Sequence, residues 1–115
     1  MTVSFQHYGE HRDVNANDDE LRLYERIHEI LAEAGHSRNR LELFRKSDNY
    51  LTAGVDTGEK YGVVDVVRFK YTPRARWIVL PLISTEKLRL TSMQDLADYS
   101  DEIVRHYEDA LKYVE

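Results

Sequence analysis

Cysteine is absent from the 115 residues of this chain, so disulfides, thiolate metal sites and cysteine nucleophiles are all excluded. Long apolar runs are absent too. The longest, Trp77 to Ile83, has seven residues, far short of the roughly 20 that a membrane-spanning helix needs. The amino terminus lacks the basic patch and apolar run of a secretory signal, so the chain is expected to begin near Met1 and to work in a cytoplasm. There is no excess of positive charge: the formal net charge is −5, which argues against a general nucleic-acid coat but leaves room for a local basic patch. No repeat and no low-complexity segment interrupts the chain.

What is there suffices for one domain. A mass of 13.6 kDa with 42% hydrophobic and 32% charged residues is ordinary globular composition. A chain of this size buries roughly two thirds of its unfolded surface without staples. Residues 1–17 read as a flexible or loosely docked arm, with isolated Val3 and Phe5 and no sustained period. Residues 18–115 read as a single α+β domain.

The first helix should start at Asn17 or Asp18, with Glu20 returning the capping bond. Leu23, Tyr24, Ile27, Ile30, Leu31 and Ala34 fall on one stripe, and Gly35 ends it. From Leu41 the period changes to two. Leu51, Ala53 and Val55 alternate with Tyr50, Thr52 and Gly54, and Val67, Phe69 and Tyr71 oppose Val66, Arg68 and Lys70. Turn chemistry at 47–49, 56–58 and 72–75 joins these runs. Four strands therefore make an antiparallel meander, with Pro81 marking the fourth as an edge or a bulge. Ser92 and Asp95 have capping-box spacing ahead of a last stripe of Leu96, Ile103, Tyr107, Ala110, Leu111 and Val114. The expected order is α-β-β-β-β-α, a four-stranded antiparallel meander with two amphipathic helices on one face.

Little in the chain spells catalysis. His7-Tyr8-Gly9-Glu10-His11 matches the H-x-x-E-H pattern of inverted zinc peptidases, but that chemistry needs a helix and Gly9 disfavours one. His28, His36 and His106 stand at helix borders as packing residues. No G-x-S-x-G elbow occurs, and Gly54, Gly58 and Gly62 never open a helix as a phosphate loop must. The adjacent acid–lysine pairs Glu59-Lys60 and Glu86-Lys87 cannot share one strand face as a metal-dependent nuclease requires. The chain is thus expected to be no enzyme, with no catalytic residues, no metal and no cofactor.

One constellation stands out. Residues 65–77 hold Arg68, Lys70, Arg74 and Arg76 against the single acid Asp65, interleaved with Trp77 and facing Tyr50. Residues 38–46 add Arg38, Arg40, Arg45 and Lys46 against Glu42, whereas residues 94–115 carry seven acids against Arg105 and Lys112. The sheet is therefore expected to be basic and the helical layer acidic. The reading is a small non-catalytic interaction or regulatory domain acting through Arg68, Lys70, Arg74, Arg76, Tyr50 and Trp77 and the 72–76 hairpin. Its expected partner is a protein with an acidic surface, with nucleic acid, bound by the same residues, as the alternative. An exposed aromatic among the arginines favours nucleic acid, and exposed apolar area beside them favours protein. No membrane is expected to be involved. Apolar residues on both sides of the fourth strand raise self-association, a homodimer, as a further expectation.

Overall fold

The computed structural model describes residues 2–7, 10–47, 49–81 and 84–114, with side chains described for 16–45, 49–81 and 84–114. Helix α1 runs from Asp18 to Glu33 and begins as its sequence dictates. Asn17 Oδ1 accepts from the Glu20 amide at 2.7 Å, and Glu20 Oε1 accepts from the Asn17 amide at 3.1 Å. The same two side chains dock the helix on the sheet, since Asn17 Nδ2 donates to the Tyr71 carbonyl at 2.8 Å and Glu20 Oε2 accepts from the Tyr71 amide at 3.4 Å. At the other end Gly35 takes φ 98°, a conformation that only glycine enters cheaply. The His36 amide then reaches the Leu31 carbonyl at 2.8 Å and closes the helix.

Five strands follow in meander order, each antiparallel to the next: β3 (Leu41–Ser47), β4 (Tyr50–Asp56), β5 (Val63–Tyr71), β6 (Arg76–Val79) and β7 (Leu88–Arg89). The expected four-stranded sheet is thus corrected to five. The extra strand has only two residues, too few to display a period, and its neighbour makes it a strand. Trp77 pairs with Arg89 and Ile78 with Leu88, and the Leu90 amide donates to the Arg76 carbonyl at 2.8 Å. β6 stops two residues before Pro81 and is an interior strand; β3 and β7 are the edges.

The end of the chain holds a second correction. The Ser92–Asp95 pattern opens a 3₁₀ segment over Met93–Tyr99, and α2 begins only at Ser100, running to Leu111. Asp95 accepts from the Thr91 and Ser92 amides at 2.7 and 3.2 Å. The first turn of either helix type needs such an acceptor, so the cap cannot tell them apart. The stripe survives the change, because Leu96, Ile103, Tyr107 and Ala110 are all buried.

Both helices pack on one face of the sheet, where Leu23, Ile27, Leu31, Leu51, Val67, Phe69, Ile78 and Ile103 form one core with no exposed surface. Burial of each such side chain contributes about 1.5–3 kcal/mol. Polar ties lock the layers. The Tyr24 hydroxyl donates to the Leu41 carbonyl at 3.0 Å, and the Tyr107 hydroxyl accepts from the Arg40 amide at 3.0 Å. Burial, aided by the nearby Glu42 carboxylate, pushes the Tyr24 phenol up to about 12 and keeps it a donor. The radius of gyration, 13.3 Å, is that of a compact chain of this length.

One irregularity decides what the outer face carries. Ala53 pairs with Val67 but Gly54 pairs with Asp65, so Val66 is an extra residue in β5. Val66 therefore joins Val67 in the helix-side core instead of opposing it, and Asp65 turns to the side of Arg68. Gly54 sits across from the bulge, where an added Cβ would lie 2.8 Å from the Val64 carbonyl oxygen and 2.9 Å from Val63 Cγ1. Only glycine allows that approach.

Before α1, β1 (Thr2–His7) and β2 (Glu10–Asn15) pair antiparallel as a separate two-stranded sheet, with His7 opposite Glu10 and Gln6 opposite His11. The peptidase-like pattern thus has its two histidines on facing strands and not on a helix; Tyr8, Gly9 and the side chains of the pattern lie outside the described residues. No helix among the described residues is long and apolar enough to cross a membrane.

Candidate functional site

Alternation sends Arg68 and Lys70 of β5, Tyr50 of β4, and Trp77 and Val79 of β6 to the face away from the helices. Register then sets the neighbours. Lys70, Trp77 and Arg89 form one cross-strand row, while Phe44, Thr52, Arg68 and Val79 form the next. In the second row Phe44, Thr52 and Val79 are buried, so this face is closed along that row and open along the row of Lys70, Trp77 and Arg89. Val79, one of the residues behind the self-association expectation, is buried within the single chain; Leu82 and Ile83 lie outside the described residues.

The open side holds two adjoining grooves. One, of about 470 Å³, is lined by Tyr50, Arg68, Lys70, Trp77, Val79 and Lys87 among others. The second, of about 720 Å³, runs past Arg74, Arg76, Trp77, Lys87, Arg89 and Leu90. Trp77 and Lys87 belong to both, and among the described residues no acidic side chain lines either. Six cations thus surround one indole ring in a chain whose net charge is −5.

The contacts within the grooves are specific. Trp77 meets Tyr50 edge-on, with ring centroids 6.1 Å apart and planes at 64°. Lys87 Nζ lies 4.8 Å from the Trp77 ring centre, and the Arg68 guanidinium 5.9 Å from that of Tyr50. Arg68 also donates through Nε to Asp65 Oδ2 at 2.8 Å, a pair that residues three apart on a regular strand could not make. The bulge makes it. Among the described residues, the other five groove cations, Lys70, Arg74, Arg76, Lys87 and Arg89, have no carboxylate partner. Such a cluster of uncompensated charge repels itself and attracts anions.

Of the six residues singled out in the sequence, all line one groove or the other, but they do not share one face. Arg76 pairs with Tyr71 and so points to the helix side. There its guanidinium lies 5.3 Å from the Tyr71 ring centre and its Nη1 donates to the Thr91 carbonyl at 3.3 Å, closing one end of the groove. Arg74 sits on the exposed hairpin tip, held by Thr72, whose Oγ1 accepts from the Arg74 and Ala75 amides at 3.3 and 3.0 Å. Lys87 and Arg89 were missing from the sequence reading, because β7 was. Their signal is the short alternation Lys87-Leu88-Arg89-Leu90, two cations out and two leucines in. The second basic stretch lies elsewhere: Arg38 and Arg40 are exposed ahead of β3, Arg45 is partly buried and bonded, and the Lys46 side chain lies outside the described residues.

The histidines do other work. His106, buried in α2, donates from Nδ1 to the Glu102 carbonyl at 2.7 Å. His36 Nε2 contacts Glu108 Oε2 at 2.9 Å and ties the end of α1 to α2. His28 packs edge-on against Tyr24 at 4.6 Å. Among the described residues, no group of three or more His, Asp or Glu side chains is placed to hold a metal ion.

Fold and grooves together define a small α+β domain with an open, cationic, aromatic-centred face. No family model matches the chain, and neither a curated protein nor a solved structure matches it.

Proposed function

We propose that this chain is a small interaction domain, without catalysis of its own, that captures an anionic partner through the open side of its sheet and the 72–76 hairpin. The observation that carries this reading is the uncompensated charge of Lys70, Arg74, Arg76, Lys87 and Arg89 around Trp77. Exposed cations in a folded protein are ordinarily interspersed with acids. Here the acids of the helical layer lie across the sheet, where Asp98, Asp101 and Glu108 are exposed, and cannot neutralise the groove. An anionic partner, steered by this local field, is attracted although the whole molecule is negative.

Retention on an immobilised heparin matrix tests the reading. The wild-type protein is expected to bind at neutral pH despite its net charge of −5 and to elute with salt. Lys70→Glu with Arg74→Glu should abolish retention and change stability by no more than about 0.5 kcal/mol per site. Arg105→Glu with Lys112→Glu makes the same change in net charge on α2 and just beyond it, and should leave retention intact. If wild type flows through, or if the two double variants behave alike, the groove is not a capture site.

A further inference from the structure

We infer that the occupant of the groove is single-stranded nucleic acid, with a base stacked on Trp77 and its flanking phosphates held by Lys70 and Arg89; this rests on the capture role proposed above. An acidic protein would account for the cations but not for the ring among them. Interfaces between proteins draw their energy from apolar anchors at the centre of the patch, and the aliphatic neighbour of Trp77 on this face, Val79, is only 5% exposed. Among the described residues, the large hydrophobic side chains that are well exposed, Tyr61 and Tyr113, belong to the β4–β5 loop and the segment after α2, outside the grooves. Trp77 is partly exposed, and its row partners are a lysine on one side and an arginine on the other. Neighbouring strands lie about 4.8 Å apart, so both cations are within side-chain reach of a phosphate on either side of a base seated on the indole.

The ring geometry sets the stoichiometry. Tyr50 meets Trp77 at 64° and not in parallel, so Trp77 is the platform and Tyr50 the wall against which the base stops. The ring face is shared with Lys87, whose ammonium sits 4.8 Å from its centre. An exposed ammonium on a ring is worth less than a base on the same ring. The base therefore displaces Lys87, and the freed ammonium becomes another phosphate ligand. A duplex cannot use this site, because its base faces are buried in the stack. Discrimination among bases should be weak, since every base offers a π face and no acid among the described residues lines the groove to accept from an exocyclic amine.

Trp77 is the only tryptophan, so its fluorescence reports on the site in the unmodified protein. The experiment titrates the wild-type chain with four probes: short oligothymidylate, oligouridylate, an abasic deoxyribose-phosphate strand of equal length, and oligoglutamate. Oligothymidylate or oligouridylate should quench Trp77 and bind at least about fivefold more tightly than the abasic strand, the worth of one stack. Log affinity should fall linearly with log salt, with a slope of about −2 to −3 for three or four phosphates neutralised on a single strand. Trp77→Phe, which keeps a ring and its packing, should retain most of the affinity, measured by anisotropy of a labelled strand. Lys70→Glu should lose at least about tenfold. Equal binding of base-bearing, abasic and glutamate polymers without quenching overturns this inference and leaves the capture site standing. Tighter binding of a duplex than of either single strand overturns it too. If no probe binds and heparin retention also fails, both readings fall together.

Discussion

On the helix side of the sheet Leu51, Val67, Phe69 and Ile78 have no exposed surface, whereas their immediate chain neighbours Lys70 and Trp77 stay partly open on the other side. One face is aliphatic and closed; the other is cationic and aromatic along β6 and β7. The same strands build both, so position along a strand says little about role and parity says nearly everything. Stability and binding should therefore separate at adjacent residues. The outer face is itself divided. Phe44, Thr52 and Val79 are buried there, and the Arg68–Asp65 pair stands at the boundary, with Asp65 only 9% exposed at its side chain. Arg68 is thus a structural residue at the margin of a binding surface.

The largest effect expected comes from breaking the closed face. Ile103, with no exposed surface, packs from α2 onto this core, and Ile103→Asp strands an unpaired carboxylate in it, costing on the order of 4 kcal/mol or more. Denaturant melts should show an unfolded or barely folded variant, while Asp98→Lys on the exposed side of the same layer stays within about 0.5 kcal/mol of wild type. The next effect sharpens the division of the outer face. Arg68→Ala removes a charged hydrogen-bond partner from a mostly buried carboxylate and should cost about 1–3 kcal/mol, whereas Lys70→Ala, one pleat along on the same face, should be nearly neutral. Equal melting temperatures for these two variants would remove the distinction drawn here.

The smallest effect concerns pH. Burial lowers the pKa of His28 below its ordinary 6.5, against weaker upward pulls from the Asn39 side chain and the Glu25 carboxylate. In acid the unfolded chain therefore takes up a proton at this position more readily than the folded one. The contribution is present above about pH 6.5 and is lost below it, as pH falls through the lowered value of the folded state. Melts at about pH 7.5 and about pH 5.5 make the comparison. Wild type should lose more stability between them than His28→Gln does, and an identical loss would show that this ring titrates as it does in the open chain.

How much of this was legible depended on how many residues carried each signal. α1 could be bounded at both ends because Asn17, Glu20 and Gly35 each perform a local task visible without the rest of the fold. The start of α2 was misplaced because Ser92 and Asp95 cap a 3₁₀ turn as well as an α turn. β7 went unread because its signal is a single four-residue alternation, Lys87 to Leu90, around a strand of two residues, and with it went Lys87 and Arg89. Trp77, Lys70 and Arg68 were legible by alternation alone. Arg76 was grouped with them by nearness in sequence, although its parity, opposite to that of Trp77, already sent it to the other side. The bulge escaped because Val63-Val64-Asp65-Val66-Val67 has one polar residue, which cannot mark where alternation slips.

That slip gives the sheet something like a reading frame. Every residue of β5 after Val66 keeps one phase of in and out, and every residue before it keeps the opposite phase. Removing Val66 would close the ladder and leave every other residue on its present face, because Asp65 would still lie across from Gly54. Removing Asp65 instead would keep the extra residue, shift the phase of Val63 and Val64, and take from Arg68 its carboxylate. A one-residue deletion in this strand is therefore mild at Val66 and grave one position before it.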